Sequence, residues 1–174
     1  MFKLLLLSLA SVVITGCATS ASNTAMSISG VDVPVKLSSE LKGQVNIRNV
    51  TGGKDTNPLW KSQVDNQGFR SALEQSLSAV GYKSQNGATA KYQVDALLQG
   101  LDQPVMGLTF DVKSTVLYTV TADKTQKFFP VSAVGTATTS DAFIGSERMK
   151  IANERAMKEN IKQFLQNISN QINK

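Results

Sequence analysis

The sequence predicts a single α+β domain, about four strands of mainly antiparallel sheet in the order β-α-β-β-β-α, with two amphipathic helices packed on one face. Three observations predict it. Between Tyr92 and Thr138 apolar residues return at every second position, which gathers them on one side of pleated strands and leaves the other side wet. Before Gly81, and again from Met149 to Ile172, they return at spacings of three and four, the signature of two helices with one apolar stripe each. The chain has 174 residues, 41% of them hydrophobic, which is material for one domain of ordinary size plus a tether.

In chain order, "ATSASNTAMSIS" (18–29) is small and polar and has little surface to bury against its own ordering entropy, so residues 17–30 are expected to be a flexible tether. The domain is then expected to cover 31–174. "VDVPVK" (31–36) alternates around a proline, as a short extended piece or edge strand does. In "GQVNIRNV" (43–50), Val45 and Ile47 share a face, which predicts the first core strand. "TGGKDTNPLW" (51–60) is turn chemistry. A helix follows, capped by Ser62 or Asp65, with Phe69, Ala72, Leu73, Leu77 and Val80 on its apolar face. Gly81 stands where a left-handed C-terminal cap is expected, with Tyr82 folding back on the last turn.

Three strands come next. Tyr92, Val94, Ala96 and Leu98 share a face in "YQVDALL" (92–98), as do Leu108, Phe110, Val112, Val116, Tyr118 and Val120 in "LTFDVKSTVLYTV" (108–120), with Ser114 as the exception. "TADKTQK" (121–127) predicts a hairpin turn, and "FFPVSAVGTAT" (128–138) returns as a strand whose Pro130 marks an edge or a bulge. From a cap at Ser146 the chain is helical, with Met149, Ala152, Ala156, Met157, Ile161, Phe164, Leu165, Ile168 and Ile172 as its stripe.

The N-terminus is a different kind of segment. Lys3 precedes an apolar run from Leu4 to Ile14, broken only by Ser8 and Ser11. That is about ten residues where a bilayer span takes ~20, so the run reads as a secretion signal and not as a membrane helix. Ile14, Thr15, Gly16 and Cys17 resemble the lipobox of bacterial lipoproteins. This resemblance implies removal of residues 1–16, a diacylglyceryl group on the Cys17 sulfur and a palmitate-type acyl group on the new amine. Two or more chains at about 0.8 kcal/mol per buried CH₂ give a stable anchor. The alternative is an ordinary signal peptide that leaves a free thiol. Ala18 and Thr19 follow the lipid site with no aspartate, which by Gram-negative sorting rules implies the outer membrane, facing the periplasm.

Loss of Lys3 with the signal lowers the 18 basic residues to 17 against 13 acidic ones. This excess is modest and scattered. Lys150, Arg155, Lys158 and Lys162 stand among Glu147, Glu154 and Glu159, which reads as a solvated helix face and not as a nucleic-acid stripe. A weak attraction to anionic lipid head groups stays open.

The chain has no histidine and one cysteine, so a histidine base, a free thiol nucleophile beside a lipidated Cys17 and a His/Cys zinc site are all missing. Asp95, Asp102, Asp111, Asp123, Asp141, Glu147 and Glu154 form no recognisable metal cluster. "GGKDT" fails as a phosphate loop because Asp55 follows Lys54 where a hydroxyl is needed. No catalytic residue, metal or cofactor is expected, and the chain is expected not to be an enzyme.

The lipobox ending at Cys17, the passage "VNIRNVTGG", the helix end "LSAVGY" and the strand "YQVDALLQGL" together resemble the YajG-type lipoproteins of Gram-negative bacteria. More loosely, two helices on a four-stranded sheet are similar to LptE and other accessory lipoproteins of envelope machines. The resemblance implies an accessory or structural role. Candidate partner-binding residues are Leu59 and Trp60 of "NPLW", Met106 of "DQPVMGL" and Phe143 of "DAFIG", because strand connectivity brings these loops to one end of the sheet and such side chains are favoured in recognition patches. Trp60 also fits a hydrophobic staple on the first helix. The expected function is a lipid-anchored module that binds another envelope protein. The alternative is a carrier or sensor of an amphipathic ligand, such as a glycolipid, held between helices and sheet.

Overall fold

Tyr92, Val94, Ala96 and Leu98 in β2 (Tyr92–Asp102) turn to one side, and Phe110, Val112, Val116, Tyr118 and Val120 in β3 (Phe110–Ala122) turn with them, all buried. The computed structural model describes residues 18–29, 32, 37–57 and 61–172. Its sheet has the order β1-β2-β3-β4, with β1 (Val45–Thr51) parallel to β2 and the remaining pairs antiparallel. The parallel pair requires a crossover, and α2 (Asn66–Ala79) supplies it. β3 and β4 (Thr125–Ala137) are joined by a tight turn in which Asp123 takes φ 54°, a region that aspartate tolerates. β4 is an edge strand, so Pro130 withholds no hydrogen that the sheet needs.

Of the two predicted caps for α2, Asp65 is the one used: its Oδ1 accepts from Gly68 N at 2.7 Å. At the other end Gly81 has φ 73°, Gly81 N donates to Ser78 O at 3.0 Å and Tyr82 N to Leu77 O at 2.8 Å, a complete Schellman closure. Tyr82 does fold back, fully buried, and its hydroxyl accepts from Ser38 N and pairs with Ser169.

α3 (Gly145–Ile172) lies across β3 and β4. The approach is close because the facing residues are small. A Cβ on Gly135 would sit 2.1 Å from Ala156 N and 2.4 Å from Ala152 O, so only glycine fits there. Ser114, the polar interruption in β3, is fully buried in the same seam: its hydroxyl bonds Ala156 O at 3.1 Å and accepts from Asn160 Nδ2 at 3.2 Å. Asn160 also receives the Tyr118 hydroxyl at 2.8 Å and donates to Val131 O at 3.1 Å, while the Tyr118 ring stacks on Phe164 at 3.9 Å. Burial pushes the Tyr118 hydroxyl pKa well up. Phe69, Leu73, Met157, Ile161 and Phe164 are at most barely exposed, so the layer between helices and sheet is filled.

The structure corrects four expectations. Residues 18–29 are not a loose leash: they include the short helix α1 (Asn23–Met26), bury Ala21, Met26 and Ile28 in the main core, and bond through Ile28 N to Ser76 Oγ at 3.0 Å. Few apolar residues are present in this stretch, but Ala18, Ala21, Met26 and Ile28 are all buried, and neighbouring elements bond its backbone. Leu108 is 75% exposed because β3 starts only at Phe110. Ser146 lies inside α3, which begins at Gly145. Glu154 does not belong to a solvated face, since it is buried and accepts from Ser22 N at 2.7 Å. The expected extended piece at 31–36 lies, apart from Asp32, outside the described residues. Among the described residues no helix is long and apolar enough to cross a membrane.

Candidate functional site

Two connections leave the sheet at one end: 103–109 between β2 and β3, and 138–144 between β4 and α3. Arg148, in the first turns of α3, fastens them to each other. Its Nη1 donates to Ala142 O at 3.0 Å and Phe143 O at 2.7 Å, its Nη2 donates to Gly107 O at 3.2 Å, and its guanidinium lies 5.1 Å from the centre of the Phe110 ring. The positive charge thus points inward at carbonyl oxygens and an aromatic face. Gly107, at φ 149°, completes the turn that lets its carbonyl reach Arg148.

Asp141 braces the second connection. Thr138 N donates to its Oδ2 at 2.8 Å and Arg155 grips both oxygens, at 2.6 and 3.0 Å, which holds the carboxyl well below the usual carboxylate range. With their backbones tied down, the loops turn their apolar side chains outward. Val105 is 94% exposed, Met106 85% and Phe143 92%, and Leu108 and Ile144 are exposed beside them. The stretches 104–109 and 142–144 contain no ionisable side chain.

A buried amide knot lies beneath the tips. Gln103 Nε2 donates to Asn153 Oδ1 at 2.6 Å and to Ser62 O at 3.0 Å, and Asn153 Nδ2 donates to the same Ser62 O at 3.0 Å. This knot attaches the third connection, 52–65, to the same end. The N-terminal segment reaches it too: Ala21 N donates to Gln63 O at 3.1 Å, and Gln63 Nε2 donates to Gln103 Oε1 at 3.3 Å. Burial raises the Glu154 carboxyl, which holds Ser22 next to this junction.

Of the residues singled out from sequence, Met106 and Phe143 are brought together at this rim. Cys17, Leu59 and Trp60 lie outside the described residues. Val105, Leu108 and Ile144 fall within the stretches that the sequence marks as a rim, though the alternating pattern also places Leu108 on the strand face; sequence reasoning missed Arg148 as the clasp. Val105 and Met106 fall where one alternating pattern has ended and the next has not begun, which is the signal that finds them. Arg148 gives no such signal, because its role depends on three carbonyls from two loops.

At the opposite end of the sheet, a solvent-open groove of about 340 Å³ is lined by Tyr92, Val120, Phe129 and Ile172 with Glu40 and Lys127 at its edge. Among the described residues no three His, Cys, Asp or Glu side chains converge as metal ligands would.

No protein-family model and no curated protein matches the chain. Solved structures do resemble it. Protein XCC0632 from Xanthomonas campestris, of family model DUF330, aligns with TM-score 0.53 over 90% of this chain and 96% of its own, at 7% identity. A candidate lipoprotein from Caulobacter crescentus gives 0.48 over 77% of this chain and 93% of its own at 12% identity, and the hypothetical protein CT253 from Chlamydia trachomatis gives 0.46 over 75% and 95% at 11%. At such identities the likeness to XCC0632 is one of fold.

Proposed function

We propose that the chain is a lipid-anchored, non-catalytic accessory module of the bacterial envelope, a YajG-type lipoprotein of the outer membrane facing the periplasm, which docks on a further envelope component through its apolar rim. The observation that carries this reading is one of continuity. The only cysteine ends the apolar signal, and the segment directly after it packs along the domain to the junction beneath the rim. The absence of histidine from the sequence supports a binding role over catalysis.

Fractionation of cells tests it: Cys17→Ser moves the protein from the membrane to the soluble fraction, and wild-type protein found soluble removes the reading. Met106→Ser with Phe143→Ser keeps the protein at the membrane while weakening its docking.

The groove by Phe129 favours a second reading, a carrier of an amphipathic ligand, because its volume of about 340 Å³ falls in the range of small-ligand sites. Native mass spectrometry of protein released gently from membranes separates the two. A co-purifying lipid that Phe129→Ser removes supports the carrier.

A further inference from the structure

We infer that the envelope component met by the rim is the bilayer leaflet that carries the anchor, so that Val105, Met106, Leu108, Phe143 and Ile144 dip into the lipid interface. The inference rests on the lipid-anchored reading. It starts from the tether, which has almost no length. Ala21 is hydrogen-bonded to Gln63, and Gln63 to Gln103, two residues before Val105. Ala21 lies four positions after Cys17, a reach of at most about 14 Å at ~3.5 Å per step. An acyl chain on Cys17 therefore holds Ala21 within that distance of the lipid site and keeps the Gln63–Gln103 junction, to which Ala21 is bonded, near the head groups. The direction of the segment agrees: Ile28 bonds Ser76 in the far half of α2, Ser22 bonds Glu154, and Ala21 bonds Gln63, so the chain runs toward the loop end as it approaches the lipid site.

The surface itself has the chemistry of an interfacial contact. The tips are apolar and contain no ionisable side chain; Arg148 turns toward carbonyls and Asp141 into Arg155, while the exposed carboxylates of Asp102 and Asp111 lie three residues back from Val105 and Leu108, on the strands. Lys54 and Lys61, on the neighbouring connection, are exposed beside one exposed carboxylate, Asp55, and leave the exposed charge of that connection net positive, which suits anionic head groups. A cluster of unshielded apolar loop tips that the anchor cannot leave behind is covered most simply by the bilayer it is anchored in.

The test uses the acylated full-length protein in vesicles of phosphatidylethanolamine and phosphatidylglycerol. With the Cys17 sulfur blocked by lipid, Met106→Cys, Phe143→Cys and Lys124→Cys each offer one thiol to a polarity-sensitive fluorophore, the last in the β3–β4 turn at the far end. Doxyl-labelled lipid is expected to quench the first two about threefold or more over the third, since interfacial side chains enter ~5–10 Å below the head groups. Equal quenching at all three sites overturns the inference. So does crosslinking of either tip in intact cells to a polypeptide while the vesicle signal stays low, which makes the occupant a protein. Intact mass and vesicle flotation of the same samples keep the two readings apart. Acylated, floating protein with unquenched tips removes only this inference, and unacylated protein that does not float removes both.

Discussion

Arg148 donates to the Phe143 carbonyl at 2.7 Å, and this bond turns the Phe143 carbonyl inward while the residue as a whole stays 92% exposed. The same guanidinium holds Gly107 of the neighbouring loop. Arg148→Met keeps the length of the side chain and removes every donor. It is expected to cost about 1.5–3 kcal/mol, the range for hydrogen bonds to a charged group. Hydrogen exchange should rise in 104–109 and 142–144 and stay unchanged in β3. A uniform rise across the domain contradicts the assignment of Arg148 as a local clasp.

Gly135→Ala should destabilise the fold by roughly 1–3 kcal/mol or more, as overpacking does, because the new methyl meets helix backbone and no movable side chain. Thermal denaturation measures it. An unchanged midpoint means that α3 does not lie as close to β4 as described.

Asn160→Leu strands the Tyr118 hydroxyl in the core and takes one donor from the Val131 carbonyl. A buried polar group left without a partner costs about 1–3 kcal/mol, so a loss of roughly that size is expected. Tyr118→Phe in the Asn160→Leu background should cost little more, because the stranded hydroxyl goes with it. Full additivity of the two substitutions refutes the coupling.

Asp32 ties the N-terminal segment to α3: it accepts from Ser29 N at 2.9 Å and from Ser29 Oγ at 2.7 Å and pairs with Lys158 at 3.2 Å. Its hydrogen bonds from Ser29, first the hydroxyl and then the amide, with Lys158 after them, lower its pKa from 3.8 to about 2. A carboxylate with a depressed folded pKa stabilises fully above its unfolded value and loses that contribution as pH falls through the folded one. The difference in Ile28 amide protection between wild type and Asp32→Asn should therefore be constant above pH 3.8 and fade toward pH about 2. A difference that persists below that window contradicts the assignment.

Period alone made the sheet and both long helices legible, since Val94, Val116 and Leu73 obey it strictly, and Gly81 marked its cap because few other residues take φ 73°. Met106 and Phe143 were legible as a pair because antiparallel connectivity fixes which loops share an end. The packing of 18–29 was not. Composition averages over a segment, whereas Met26 and Ile28 act singly, and the segment is held at Ile28 by Ser76 and at Ser22 by Glu154, which lie far away in sequence. Ser114 looked like an error in its pattern and is instead the residue that lets Asn160 enter the core. The parallel pairing of β1 with β2 was also hidden, because a strand's own alternation does not state the direction of its neighbour.

The most direct test of the account is the intact mass of the protein extracted from its native membrane. The account predicts a chain that starts at Cys17 and carries a diacylglyceryl group on sulfur and an acyl group on nitrogen. An unmodified chain with a free Cys17 thiol would contradict it.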